Sequence, residues 1–151
     1  MNSALEVSNF FLKYAAEHGD LLTNLKLQKL VYYAQAWHLA LFGKPLFKED
    51  FEAWVHGPVI PSLYRHFKKY GFNPIKVSQD HREPNFESRG RKLLEEVYLK
   101  YACLEAFQLE ILTHQEDPWK VARGNLSPDE PCSKIISTAS MKTFYSNVKN
   151  T

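Results

Sequence analysis

Cysteine is scarce in this 151-residue chain: Cys103 and Cys132 are too few for a disulfide framework, and no second pair stands at zinc-ligand spacing. Glycine is sparse too, with six residues scattered and none in a GxGxxG or Walker pattern, so no phosphate-cradling loop is written into the sequence. The histidines, His18, His38, His56, His66, His81 and His114, form no His-x-x-x-His pair. Long hydrophobic runs are missing as well. The longest, Leu30 to Phe42, is interrupted by Gln35 and His38 and falls short of the ~20 residues that span a bilayer. No positively charged apolar leader precedes the first helical pattern, and the expected location is the cytoplasm, with reduced thiols. Nor is there a strong charge of one sign: 19 Lys and Arg against 17 Asp and Glu leave +2, too little to imply nucleic acid. The small excess is uneven, since residues 60–100 hold nine basic and five acidic side chains and residues 101–131 hold two and six. Such asymmetry orients a charged partner or simply solvates helix faces.

What the chain has in quantity is aromatics: ten Phe, eight Tyr and three Trp. The length suits one domain that buries roughly 70% of its unfolded surface. An aromatic-rich core follows, and any rings left on the surface favour a protein partner. The chain is organised around Thr23–Tyr64. Between Leu27 and Phe42 only Gln28, Lys29, Gln35 and His38 interrupt the apolar and aromatic residues, so this segment reads as a helix in the middle of a fold. Gln28, Tyr32, Gln35 and His38 recur at three- and four-residue steps and share a narrow polar strip, which either satisfies neighbouring backbone groups or faces a partner. Phe51, Ala53 and Val55 then alternate with Glu52, Trp54 and His56, the pattern of a short half-buried strand, and Gly57-Pro58 is expected to stop any sheet in a tight loop.

The remaining elements read as packing for this unit. Ser3 and Glu6 form a capping box that starts a first helix near Ala4, with Gly19 after its end. Thr23 or Asn24 caps the central helix, and Gly43-Lys44-Pro45 ends it. Pro61 suits the first turn of a third helix carrying Leu63, Tyr64, Phe67 and Tyr70, closed by Gly71. A short extended piece, Ile75 to Val77, leads into a polar surface loop at residues 78–90. A fourth helix, from about Arg91 to Tyr101, presents Leu93, Leu94, Val97, Tyr98 and Tyr101, which need cover from the first half of the chain. Leu104, Phe107, Leu109, Ile111 and Leu112 continue the apolar pattern, and whether the helix runs on or breaks near Ala102-Cys103 is left open. Asp117-Pro118-Trp119 predicts an acidic cap, a proline in the first turn and an aromatic anchor, with Gly124 ending that helix. Ile135-Ile136 is extended, and Ser137 or Thr138 caps a last helix bearing Met141, Phe144, Tyr145 and Val148.

Enzymatic constellations are thin. A Cys103 and His114 dyad lacks an identifiable activating environment. His114, Glu116 and Asp117 cluster locally, but Asp117 has a capping role and His114 stands near a helix end that favours an imidazolium. His56 beside Gly57-Pro58 has no partner that sequence reveals.

Three runs, LTNLKLQKLVYYAQAWHLALFGKPLF, EAWVHGPVIPSLYRHFKKYG and LTHQEDPWKVAR, occur in order, and together the chain resembles the Panacea antitoxin domain, the family of SocA-like antitoxins of bacteria and their phages. The likeness extends over nearly the whole length. The family's lysine-leucine-x-lysine-leucine helix is matched by Lys26, Leu27, Lys29 and Leu30, its tyrosines by Tyr32 and Tyr33, its Ala-Trp-x-x-Gly-Pro-Val motif by Ala53, Trp54, Gly57, Pro58 and Val59, and its His-x-x-x-Pro-Trp motif by His114, Pro118 and Trp119. Two positions depart: His56 stands where a tyrosine is common, and Ala102-Cys103 replaces a glycine-containing break.

The resemblance implies a mainly α domain of about six or seven helices spanning residues 1–151, with a small β-ribbon element near residues 51–55. It implies a non-enzymatic antitoxin without metal or cofactor that neutralises a cognate protein toxin, encoded by the adjacent gene, by direct binding one-to-one or within a small homo-oligomer. One branch of the family delivers its toxin to a protease, which makes an AAA+ protease a second expected partner. Contacts to the toxin are expected from Gln28, Lys29, Tyr32, Gln35 and His38 on the exposed strip of the central helix and from Trp54, His56, Pro58 and Tyr64 around the ribbon. Lys26, Leu27, Leu30, Tyr33, Ala53, Gly57, Val59, His114, Pro118 and Trp119 are expected to define the fold. Two rivals remain: a small metal-dependent or Cys/His hydrolase using His56, His114 and Glu116, and a basic nucleic-acid binder using Arg65, Lys68, Lys69, Arg89, Arg91 and Lys92.

Overall fold

The helix α2, Asn24–Phe42, lies at the centre of a computed structural model that describes residues 1–77 and 84–150. The Thr23 hydroxyl accepts from the Lys26 amide and caps its start, and Gly43, at φ +75°, closes it in the left-handed conformation that glycine adopts without a Cβ penalty. Leu27, Leu30, Val31, Tyr33, Ala34 and Ala36 are fully buried on it. At roughly 1.5–3 kcal/mol for each large side chain removed from water, this one helix supplies much of the apolar driving force. Around it pack α1 (Ala4–Glu17), α3 (Pro61–Phe67, extended by a 3-10 turn at Lys68–Tyr70), α4 (Ser88–Tyr101), α5 (Ala106–Gln115) and α7 (Thr138–Lys149); α6 (Asp117–Arg123) packs on α5, α7 and the hairpin. The architecture is mainly α, with one two-stranded antiparallel sheet among the described residues.

The capping box of α1 forms as the sequence predicts, with Ser3 Oγ accepting from the Glu6 amide and Glu6 Oε1 from the Ser3 amide. The cover for α4 comes from the first half of the chain. Tyr101 stacks on Tyr33 at 4.0 Å between ring centroids, its hydroxyl accepts from Trp37 Nε1 at 2.8 Å, and Tyr98 packs edge-on against Tyr14. Ser137 caps α7, whose Tyr145 and Met141 are buried in the core beside α2.

Several expectations are corrected. Gly57-Pro58 does not stop the sheet: Gly57–Val59 is its second strand, β2, paired with β1 (Glu52–Trp54) in the register Glu52–Val59, Ala53–Pro58, Trp54–Gly57. The proline is tolerated because Ala53 directs its own amide outward, to the Lys134 carbonyl at 2.9 Å, so no ladder bond is asked of Pro58. Residues 134–136 cover the outer edge of β1, and Ile136 donates to the Phe51 carbonyl at 2.8 Å. The question left open at Ala102-Cys103 is answered by a break: α4 and α5 are separate helices, the second opened by a Glu105–Gln108 capping box. The fourth helix starts at Ser88, three residues before Arg91. Asp117 lies inside the first turn of α6, and the N-cap position belongs to Glu116, whose side chain turns into the core. Phe107 and Ile111 of α5 face solvent although Leu109 is buried. Ile75–Val77 forms no strand; the Ile75 amide bonds the Leu22 carbonyl at 2.8 Å. Of the predicted surface loop, residues 78–83, with His81, lie outside the described residues.

Candidate functional site

The outward face of the hairpin is decided by strand parity. Glu52 and Trp54 point to one side with the cross-strand residue Val59, while Ala53 and Pro58 turn toward the core. That outer face floors an open groove of about 470 Å³, walled by Leu25 from α2, Tyr64 from α3, and Pro131 and Cys132 from the segment before α7. Its lining is mostly apolar. Trp54 meets Tyr64 edge-on at 5.2 Å, and Trp54 Nε1 donates to Glu52 Oε1 at 2.9 Å. At the turn, His56 Nδ1 lies 2.5 Å from Glu110 Oε1, within hydrogen-bond distance, with the imidazole largely exposed.

Helix α6 holds the groove from behind. Trp119 Nε1 donates to the Trp54 carbonyl at 2.8 Å, and Arg123, 2% exposed, donates through Nη1 to the Ala53 carbonyl at 2.8 Å. The same guanidinium donates through Nη2 to the Ser127 carbonyl at 2.8 Å and to the Glu130 carbonyl. One planar fork therefore ties β1 to the loop that runs into the Pro131–Cys132 wall. His114 stacks on Trp119 at 3.9 Å, and burial holds its imidazole below its ordinary pKa.

Beneath the hairpin lies Lys29, 1% exposed, with Nζ 3.4 Å from the Pro58 carbonyl. Burial pulls its pKa down to about 7, opposed by the charge of Glu110. A second interior cluster joins α2 to α7: Glu116 Oε1 accepts from Tyr33 Oη at 2.6 Å and Tyr145 Oη at 2.9 Å, and Tyr145 Oη, its one proton given to Glu116, lies 3.2 Å from Tyr32 Oη as that hydroxyl's acceptor. Desolvation raises the Glu116 carboxyl above its usual range against the lowering effect of both phenols.

Of the residues expected to contact a partner, Trp54, His56 and Tyr64 converge on the groove. The strip on the central helix is not exposed, which corrects that expectation: Gln28, Lys29, Tyr32 and Gln35 are at most 1% exposed and His38 is 8%. Except for Tyr32, whose hydroxyl meets Tyr145 Oη, they satisfy the backbone of segments that cross α2. Gln28 Oε1 accepts from the Ile60 amide, Gln35 bonds both the Leu46 amide and the Phe47 carbonyl, and His38 Nδ1 bonds the Lys44 carbonyl. Pro58 is buried over Lys29. Of the residues expected to define the fold, Leu27, Leu30, Tyr33, Ala53 and Val59 are at 0% exposure, Trp119 is at 4%, and Lys26 Nζ bonds the Ala102 carbonyl.

Sequence reasoning missed Arg123 and Leu25. A lone arginine before a glycine carries no local mark of burial, because its partners are carbonyls of distant segments. Glu52 was legible only as a strand position on the same face as Trp54. Among the described residues, no group of three or more His, Cys, Asp or Glu is placed to hold a metal ion. Glu116 is committed to the tyrosines and His56 to Glu110, while the exposed Cys103 bonds only the Lys100 carbonyl. Three of the six basic side chains of the nucleic-acid alternative lie over rings of the fold, Lys69 over Tyr70, Arg89 over Phe42 and Arg91 over Phe10.

The family model described as "Antitoxin SocA-like, Panacea domain" matches residues 27–120, a span that runs from α2 through the hairpin to the first half of α6. Antitoxin SocA of Caulobacter vibrioides (strain NA1000 / CB15N) is 44% identical over 68 residues, which cover 45% of this chain and 36% of that relative's own length. No solved structure matches the chain.

Proposed function

Because the chain belongs to the SocA-like antitoxin family that carries the Panacea domain, we propose that it neutralises a protein toxin by binding it directly, and that the hairpin groove is the contact surface. The family membership carries the first half of this reading. The second half is supported by one observation: Trp54, His56 and Tyr64, three aromatic or imidazole side chains from separate positions, meet in a groove whose lining is mostly apolar. Half-buried aromatics in a concave apolar patch are what a protein interface uses as anchors. In this reading the toxin is the product of the adjacent gene, binding takes place in the cytoplasm, and delivery of the bound toxin to an AAA+ protease is a further step. Among the described residues, no helix is long and apolar enough to cross a membrane.

Co-expression of this chain with the product of the neighbouring reading frame tests the proposal, scored first as growth and then as co-purification. Rescue with a stable complex is the expected result, and Trp54→Ala is expected to lose both while the folded protein still accumulates. A toxic neighbour that is neither rescued nor bound overturns the reading.

A further inference from the structure

The groove contains one carboxylate without a counter-charge. Glu52 lines it beside Trp54, and its recorded side-chain bond is the one received from Trp54 Nε1 at 2.9 Å. Among the described residues no lysine, arginine or histidine forms an ion pair with Glu52. With one neutral donor on it, this carboxylate keeps acceptor capacity for a cationic group. The rings around it suit that visitor. Trp54 and Tyr64 stand at 65° to each other with centroids 5.2 Å apart, so the pair presents π surface and an edge to the same corner as the carboxylate. The loop before the opposite wall adds Asp129 and Glu130, both exposed.

Resting on the antitoxin reading above, we propose that this corner receives an arginine side chain of the protein partner. Its guanidinium stacks on the indole of Trp54 and donates to the free oxygen of Glu52, while its methylene stem and the flanking apolar residues of the partner lie along Leu25 and Val55. Arginine fits better than lysine because a planar, weakly hydrated cation stacks on an aromatic face and donates in its own plane at the same time. The volume of about 470 Å³ exceeds one side chain, so the arginine sits within an apolar stretch of the partner rather than alone.

The test does not need the toxin. With the full chain labelled by ¹⁵N, the indole Nε1–H resonances of Trp37, Trp54 and Trp119 are followed while N-acetyl-arginine methylamide is added at millimolar concentrations. N-acetyl-citrulline methylamide serves as the neutral isostere and N-acetyl-lysine methylamide as the rival cation. The Trp54 resonance, which reports its bond to Glu52, is expected to shift saturably with the arginine probe. Citrulline should bind at least about tenfold more weakly, and Trp37, bonded to Tyr101, should stay fixed. Glu52→Gln keeps an acceptor for Trp54 Nε1 but removes the charge, so the fold is retained and the preference for arginine is lost. No saturable shift, equal shifts from arginine and citrulline, tighter binding of lysine, or an unchanged preference in Glu52→Gln would each overturn the assignment. The growth assay separates this from the broader reading. A silent probe with intact rescue by Glu52→Gln removes the arginine site and leaves the antitoxin function standing. Probe binding without rescue or complex formation leaves the site standing and removes the function.

Discussion

Gly57 is at φ +103°, a conformation that side chains rarely adopt, and a Cβ there would lie 2.5 Å from Lys29 Cε and 2.9 Å from Thr113 Oγ1. Strain and collision act together, so Gly57→Ala is expected to destabilise the fold by roughly 1–3 kcal/mol, read as a lower urea midpoint with the slope unchanged. The lysine it would strike has its own signature. In the folded protein Lys29 titrates near 7, whereas in the unfolded chain it returns to 10.5. Between those values the unfolded state binds more protons, so this residue makes folding more favourable as pH rises from about 7 to 10.5, and its penalty is fully present below 7. Lys29→Met, which keeps the length and drops the charge, is expected to be more stable than the natural chain by roughly 2–4 kcal/mol at pH 7. The gap should close toward pH 10, and a gap that does not vary with pH would refute the buried-ammonium account. Taking the difference between the two proteins cancels the buried tyrosines, which are common to both.

Between elements, two side chains act as joints. Arg123 binds carbonyls of β1 and of residues 127 and 130, so α6 fixes the spacing of the two groove walls. Arg123→Met leaves those carbonyls without their donors and is expected to cost about 2–4 kcal/mol, with faster proteolysis confined to residues 125–133. Glu116 is the corresponding joint between α2 and α7. Glu116→Gln still offers an oxygen to Tyr33 and Tyr145 and is expected to fall within about 1 kcal/mol of the natural chain, while Glu116→Ala strands both hydroxyls and costs about 2–3 kcal/mol. Denaturant midpoints of the pair of variants decide it. The boundaries of the elements were legible in the sequence wherever a cap is local, as at Ser3, Thr23, Gly43 and Ser137. The hairpin was half legible. The alternation from Phe51 to Val55 identified β1, but proline and glycine in β2 disguised a strand whose missing amide bond is not needed in this register.

At the scale of the whole molecule, α2 makes the fold depend on parts far apart in the chain. The family match spans residues 27–120, yet α7, at Thr138–Lys149, covers α2 with Tyr145 and Met141, both at most 1% exposed. Removing residues 138–151 uncovers Tyr32, Tyr33 and Glu116 and is expected to abolish the cooperative thermal transition seen by circular dichroism. A truncated chain that melts as sharply as the full one would show that α7 is peripheral. The partner strip expected on the central helix was misplaced for the same reason. Amides and an imidazole at Gln28, Gln35 and His38 look identical in sequence whether they face solvent or cap the backbone of a crossing segment, and here the segments at residues 44–47 and 60 cross them.

Periodicity, caps and turn residues depend on neighbours within a few positions, and those the sequence determined alone: six or seven helices, their approximate limits, the first strand and the motifs that mark the family. The tertiary structure alone decided which polar groups are interior, where Arg123 donates, and that Trp54, Tyr64 and Glu52 share one corner of a groove. Each of these depends on contacts between segments dozens of residues apart, and the free energy that fixes them comes from desolvation and packing, which no local pattern encodes.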